Sequence, residues 1–353
     1  MATEQLALVD LIDEMCAGKD LELRPLKVAG DIMTKDVRTL TLDHTVNACI
    51  KLMKGLRFRH LPLVDVPYDR EGEPYFVGIV SERDVLRVIS ASLKVPGKQD
   101  IDKRAMKQLL AQVVARNPKT VSPDTPIPEV IMTMLDNHIE MVPVLVEKEV
   151  VGIITSMDII KIFFRFDDVV RKLYPKLSKT IGPGDFMSAA SGDVEALCLW
   201  VSQTVEEIMT IQVSCLTLED ELAEAIDLMK ENKFMHIPII DELGKLQGIV
   251  SDRDVLRHLH YAGKRPMGQQ ENFREHLFRV EPDFVNLKLP LEQVMTHKII
   301  HIPPGSSIYS AADTLYKSRV SCLPVIDEYN NLLGIVTLTD LMSALLAIYG
   351  EKA

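Results

Sequence analysis

Four pairs of a hydroxyl residue and an aspartate, each pair separated by two residues, are candidates for chemistry in this sequence. They are Ser81/Asp84, Thr155/Asp158, Ser251/Asp254 and Thr337/Asp340. Where a strand turns into a helix, such a pair can form a capping box that satisfies free backbone N–H groups. A carboxylate at the same place can also accept two hydrogen bonds from a vicinal diol such as a ribose. The spacing is compatible with both interpretations.

Basic side chains accompany two of the four pairs. Arg83 and Arg253 stand inside a pair, at the predicted start of a helix, where backbone N–H groups already favour an anion. Arg59, His60 and His236 lie upstream in the same two copies. Since arginine can donate two hydrogen bonds to phosphate oxygens, we predict one phosphate clamp of Arg83, Arg59 and His60 and a second of Arg253 and His236. The alternative for Arg83 and Arg253 is a solvated helix face.

The pairs belong to a longer repeat. Each lies in a segment of the type Gly-Ile-Val-Ser-Glu-Arg-Asp, found at 78–84, 152–158, 248–254 and 334–340, and a proline precedes each segment. Upstream apolar positions recur at offsets typical of one helix face. Met33, Met209 and Met295 share one position and are interpreted as packing residues. Residues 78–87 and 248–257 match at 9 of 10 positions, so the first copy resembles the third more than the second.

Each repeat is predicted to fold as β-α-β-β-α. In the first copy the pattern indicates a strand at 37–42, a helix at about 45–57, a strand near Pro62, a strand at 77–81 and a helix at 83–89. The first hairpin, at 67–76, is longer than the others. A unit of roughly 60 residues has a marginal core by itself, so we expect repeats to pair through their sheets.

This combination of Met-Thr, amphipathic helix, x-x-Pro strand and Gly-h-h-Ser/Thr-x-x-Asp resembles the cystathionine β-synthase (CBS) repeat. Its arrangement is similar to that of the nucleotide-binding γ subunit of AMP-activated protein kinase. The resemblance implies an α/β (α+β) fold, in which four β-α-β-β-α CBS repeats form two paired modules. It also implies that the aspartates and their Ser or Thr partners contact a ribose. The first strand of a repeat would then contact the adenine base, here near Thr39 and Thr120.

The repeats suggest where the domains begin and end. We expect an N-terminal extension at 1–27 with a helix at 6–15, CBS repeats at 28–92 and 107–166, and an inter-module linker at 167–203. Repeats at 204–260 and 291–349 follow, separated by a second linker at 261–290.

Composition excludes several classes of function. The net charge of -11 disfavours a nucleic-acid partner or an anionic membrane surface. Five cysteines without a C-x-x-C pair indicate reduced thiols and a cytoplasmic protein, and no signal peptide or membrane span is expected. No Walker loop, nucleophile elbow or metal-ligand cluster is visible, and His258-x-His260 would not face one ligand on a helix.

We therefore expect a non-enzymatic regulatory protein that senses AMP, ADP or ATP in clefts between paired repeats. The adenine nucleotide would be its regulatory ligand, with no other cofactor required. An effector protein would respond to the bound state, and a homodimer is also possible. Two alternatives stand beside this hypothesis: a ligand-free interaction scaffold, or a sensor of another adenosyl ligand such as S-adenosylmethionine.

Overall fold

The computed structural model describes residues 26–56, 58–65, 74–85, 88, 106–173, 203–232, 234–261 and 288–348. The helix predicted at 6–15, the tip of the long first hairpin and most of both linkers lie outside these ranges. Of the helices described, none combines the length and the apolar character needed to cross a bilayer.

The first repeat contains every predicted element. A short helix that was not predicted, α1 (Ala29–Ile32), comes first. The predicted elements then follow as β1 (Leu40–Thr41), α2 (Val46–Leu56), β2 (His60–Asp65), β3 (Tyr75–Ser81) and a helical stretch at 82–85. The first strand is shorter than predicted. Thr34 pairs with Ile153 of the second repeat, so residues 35–39 must cross from one repeat to the other before β1 begins.

The other three repeats follow the same order. The second has a 3-10 helix (Leu110–Gln112), β4 (Ala115–Arg116), α3 (Ile127–Asp136), β5 (Met141–Val146), β6 (Glu149–Thr155) and α4 (Ser156–Leu173). The third has α5 (Val205–Ile208), α6 (Leu222–Asn232), β7 (His236–Ile240), β8 (Leu246–Ser251) and α7 (Asp252–Tyr261). The fourth has α8 (Leu291–Val294), α9 (Ile308–Ser318), β9 (Cys322–Ile326), β10 (Leu332–Thr337) and α10 (Leu338–Ile348). Helix α4 continues to Leu173, into the predicted linker.

Each repeat combines an antiparallel hairpin with a short parallel neighbour. In the first repeat β2 and β3 are antiparallel, with Pro62 opposite Ile79, and β1 runs parallel to β2. Single parallel bridges take the place of β1 in the other repeats: Val121 with Val144, Leu216 with Ile239, and Ile302 with Val325. The strand-to-helix junction that follows each hairpin holds the Ser/Thr-x-x-Asp pair.

Paired repeats exchange their N-terminal segments. Thr34 of the first repeat pairs with Ile153 of the second, and β4 of the second pairs with β3 of the first. The third and fourth repeats exchange segments in the same way, through Thr210 with Ile335 and Thr296 with Ile249. The exchanged strands confirm the predicted pairing through the sheets.

The motif glycine and the methionine before the exchanged threonine fit together. A Cβ atom added to Gly152 would lie 2.5 Å from the Met33 sulfur, so glycine makes room for the methionine. The methionine at this position packs against the paired repeat, as the sequence indicated.

Two hydrophobic cores hold the two modules together. One core contains buried residues of the second and fourth repeats, such as Phe163 and Leu341. The other contains residues of the first and third repeats, such as Leu61 and Ile237. The first repeat therefore packs against the third, and the second packs against the fourth.

Candidate functional site

Each of the four aspartates accepts hydrogen bonds at the start of the helix that follows its hairpin. Asp84 Oδ2 accepts hydrogen bonds from Ser81 N (2.9 Å) and Ser81 Oγ (2.6 Å). The same two contacts recur in the other copies, at Asp158, Asp254 and Asp340. In the first, third and fourth repeats the Ser or Thr hydroxyl oxygen also accepts a hydrogen bond from the backbone N–H of the aspartate, which completes a reciprocal capping box.

A threonine from the paired repeat approaches two of these carboxylates. Thr296 Oγ1 donates to Asp254 Oδ1 at 3.4 Å, and the Thr210 hydroxyl is hydrogen-bonded to Asp340. These threonines lie on the exchanged segments, so these two clefts contain residues of two repeats. The sequence signal was the recurring Met-Thr, whose threonine we had not assigned to the site.

The other two carboxylates have different neighbours. Asp158 Oδ1 accepts a hydrogen bond from Lys161 Nζ at 2.7 Å. The residue that faces the Asp84 repeat in place of the threonine is Ala115, which pairs with Ile79 and has no hydroxyl. The four clefts are therefore chemically different although their caps are alike.

Thr39 and Thr120 stay predictions for base contact. Both side chains are exposed. Thr39 directly precedes β1, and Thr120 precedes the Val121 bridge that takes the place of β1 in the second repeat.

The residues predicted for phosphate form one cluster instead of two separate clamps, because the first repeat packs on the third. At its centre, Arg59 donates from Nη1 to Glu140 Oε2 (3.1 Å) and from Nη2 to Ser321 Oγ (2.9 Å). Ser321 Oγ is in turn 3.0 Å from His236 Nε2. This hydrogen-bonded chain contains one residue from each of the four repeats.

Burial leaves both histidines uncharged at neutral pH. Loss of solvent lowers the pKa of His60 to about 4 and that of His236 to about 3, and the positive charge of Arg59 adds to both shifts. The histidines can therefore offer a phosphate an N–H donor but no charge. Positive charge at this place comes from Arg59, Arg83 and Arg253.

Two buried acids share the cluster with the arginines. Loss of solvent and, second, the nearby Asp252 carboxyl together raise the pKa of Glu82 to about 7. Burial also raises the pKa of Asp252, which Arg59 and Arg253 oppose. By contrast, contact with Arg59 keeps the pKa of Glu140 below its ordinary value despite burial.

Sequence analysis had not assigned these acids to the site. Glu82 and Asp252 form the one mismatch between segments 78–87 and 248–257, and both are acidic, which was the available signal. Glu140 and Ser321 occupy the position of Arg59 in their own repeats, but only the packing of four repeats brings them together. Within the described ranges, no group of three or more His, Cys, Asp or Glu could hold a metal ion.

Comparison with known proteins identifies the repeat. The sequence model of the CBS domain matches residues 29–91, 110–165, 205–261 and 291–347. Uncharacterized protein MJ1426 of Methanocaldococcus jannaschii is 32% identical over 139 residues, which cover 36% of this chain and 83% of that protein.

Two solved structures share the fold over nearly the whole chain. MJ1225 of Methanocaldococcus jannaschii, described as a candidate archaeal homologue of g-AMPK, superposes with a TM-score of 0.65 at 18% identity, covering 90% of this chain and 99% of that one. A conserved protein from Pyrococcus horikoshii gives a TM-score of 0.52 at 21% identity, covering 91% and 100%. The chain belongs to the CBS-domain family and contains four CBS domains in two pairs.

Proposed function

We propose that this chain is a non-enzymatic regulatory protein that binds adenine nucleotides in the clefts between paired CBS repeats. One observation carries the proposal: the basic residues expected to bind phosphate lie near one another in one half-buried cluster. Capped aspartates suited to a ribose lie at the strand-to-helix junctions beside it. A nucleoside phosphate needs both kinds of contact, a diol acceptor and a set of N–H donors.

The central hydrogen-bonded chain suggests how binding would be transmitted. A phosphate near Arg59 competes with Glu140 for the same guanidinium, because both are anionic acceptors. Loss of the Arg59–Glu140 contact changes how the first repeat is held against the second and fourth. A ligand shifts such an equilibrium only by its differential affinity, typically about 1–3 kcal/mol.

The response would be read by a separate effector protein. CBS-domain proteins are generally regulatory, and we assign this chain the same kind of role. The described cysteines Cys49, Cys215 and Cys322 are free thiols, which agrees with action in the cytoplasm. The nucleotide itself is the regulatory ligand in this proposal.

Ligand-dependent stability tests the proposal. The full chain is melted with AMP, ADP, ATP or S-adenosylmethionine, and a ligand present at 100 times its Kd should add about 2.7 kcal/mol. A shift with S-adenosylmethionine alone would favour the adenosyl alternative. No shift with any of the four would favour the ligand-free scaffold.

A matched pair of cap variants separates ribose binding from capping. Asp254→Ala removes a cap and a proposed ribose contact, whereas Ser307→Ala removes only the cap of α9, where Ser307 Oγ accepts from Ser310 N at 3.2 Å. Each should cost about 1 kcal/mol of stability. Calorimetry should show one cleft lost in Asp254→Ala and none in Ser307→Ala. Equal binding by the two variants would mean that Asp254 is only a cap.

A further inference from the structure

The two buried acids always accompany an arginine. Glu82 precedes Arg83 in the first repeat and Asp252 precedes Arg253 in the third. The second and fourth repeats have Ser156-Met157 and Leu338-Thr339 at these positions, with neither charge. The acid therefore occurs only in the two copies that have the arginine predicted to bind phosphate.

Glu82 is poorly explained by the fold alone. Its side chain is 7% exposed, and among the described residues its Oε2 atom has no hydrogen-bond partner. The Nε atom of Arg59, in the same cluster, likewise lacks a partner within the described residues. Burying an unpartnered carboxyl is unfavourable, so its presence calls for another explanation.

The acids cancel the positive charge of the arginines. The cluster contains the guanidinium groups of Arg59, Arg83 and Arg253 and two uncharged histidines. Against them stand the carboxyl groups of Glu82, Glu140, Asp252 and Asp84. Without the acids, the most highly charged anion would bind best. With them, each further phosphate group meets like charge in a buried site, which is a way of rejecting a competing ligand.

We propose that Glu82 and Asp252 select nucleotides by charge and favour a nucleoside monophosphate over a triphosphate. The inference rests on the proposed function, because it concerns the phosphate end of the same ligand. The arginines still donate hydrogen bonds to one phosphate group. A triphosphate brings about two more negative charges, which these carboxylates repel.

The test compares affinities for two nucleotides in neutralised variants. Calorimetry with AMP and with ATP, in EDTA to exclude divalent cations, is performed on the full chain, Glu82→Gln, Asp252→Asn and the surface control Asp313→Asn. The unsubstituted protein should bind AMP more tightly than ATP. At pH 8, where Glu82 is mostly ionised, each buried variant should narrow the ratio of AMP affinity to ATP affinity about tenfold, because one unit charge is removed from a buried site. Asp313→Asn changes an ion pair with Lys317 on α9, outside the cluster, and should leave the ratio unchanged.

A second measurement needs no substitution. Lowering the pH from 8 to 6 protonates Glu82, which faces Asp252, Arg59, Arg253 and Glu140, and should narrow the AMP preference. The outer phosphate ionisation is common to both ligands and largely cancels in the ratio. An unchanged ratio in both variants and at both pH values, with AMP still bound, would overturn charge selection and leave the proposed function standing. Absence of any nucleotide binding would overturn both.

Discussion

Loss of the Arg59 side chain should be among the most destabilising single changes at the centre of this protein. The Arg59 and Glu140 side chains are 14% and 17% exposed, with Nη1 and Oε2 3.1 Å apart. Arg59→Met leaves the Glu140 carboxylate buried without its cation and removes a donor from Ser321. Breaking a buried ion pair from one side typically costs about 3–5 kcal/mol, and we expect a loss in this range.

An exposed ion pair provides the matched control. Lys317 Nζ lies 2.7 Å from Asp313 Oδ2, closer than the central pair, but the two side chains are 72% and 30% exposed. Lys317→Met should therefore cost no more than about 0.5 kcal/mol. Burial, and not the shorter distance, decides the expected ranking.

Equilibrium unfolding in urea measures both losses, followed by fluorescence and by circular dichroism to check for a single transition. The double variant Arg59→Met/Glu140→Leu should recover much of the loss, because the Glu140 charge is then no longer left without its cation. If Arg59→Met costs no more than Lys317→Met, the central chain of contacts does not hold the four repeats together.

Two further predictions concern backbone fit and pH. A Cβ atom on Gly78 would contact Val114 and lie 2.6 Å from the Ala115 carbonyl oxygen, so Gly78→Ala should cost about 1–3 kcal/mol of stability. The control is Gly55→Ala, on a helix, where an added Cβ would have nothing within 4 Å. This variant should be more stable by up to about 1 kcal/mol in the same thermal melts. Between pH 6.5 and 4.5 the neutral His60 and His236 each cost about 2 kcal/mol of stability, because the unfolded chain takes up protons that the folded chain does not bind. Glu82 acts in the opposite direction and returns about 2 kcal/mol, since its raised pKa makes the folded chain the better proton acceptor. Stability measured in urea should therefore fall by about 2 kcal/mol over this interval, and a rise in stability on acidification would contradict the lowered histidine pKa values.

The repeat and its helices and strands could be predicted from the sequence because they depend on local patterns. Proline, glycine and the Ser/Thr-x-x-Asp spacing locate the hairpin and the cap, and helix α2 (Val46–Leu56) lies within a residue of its predicted limits. The first strand was predicted too long because strand propensity does not show that residues near Thr34 pair with another repeat.

The contacts at the centre of the molecule could not be predicted in the same way, because they depend on packing between modules. Arg59 and His236 had been assigned to separate clamps, since they lie far apart along the chain. The sequence contains no short-range signal that Ser321 connects them. Likewise, the sequence counted His236 among the basic residues, whereas loss of solvent lowers its pKa and leaves it uncharged at neutral pH.

The exchange of N-terminal segments has a consequence for how such a chain could arise. A single copy cut out of the protein would lose the strand that its partner contributes, for example the Thr296 contact with Ile249. Two paired copies, in contrast, each supply the segment with which the other pairs. The unit that was duplicated was therefore the pair of repeats with exchanged segments. This explains why the first copy resembles the third in sequence more closely than it resembles the second.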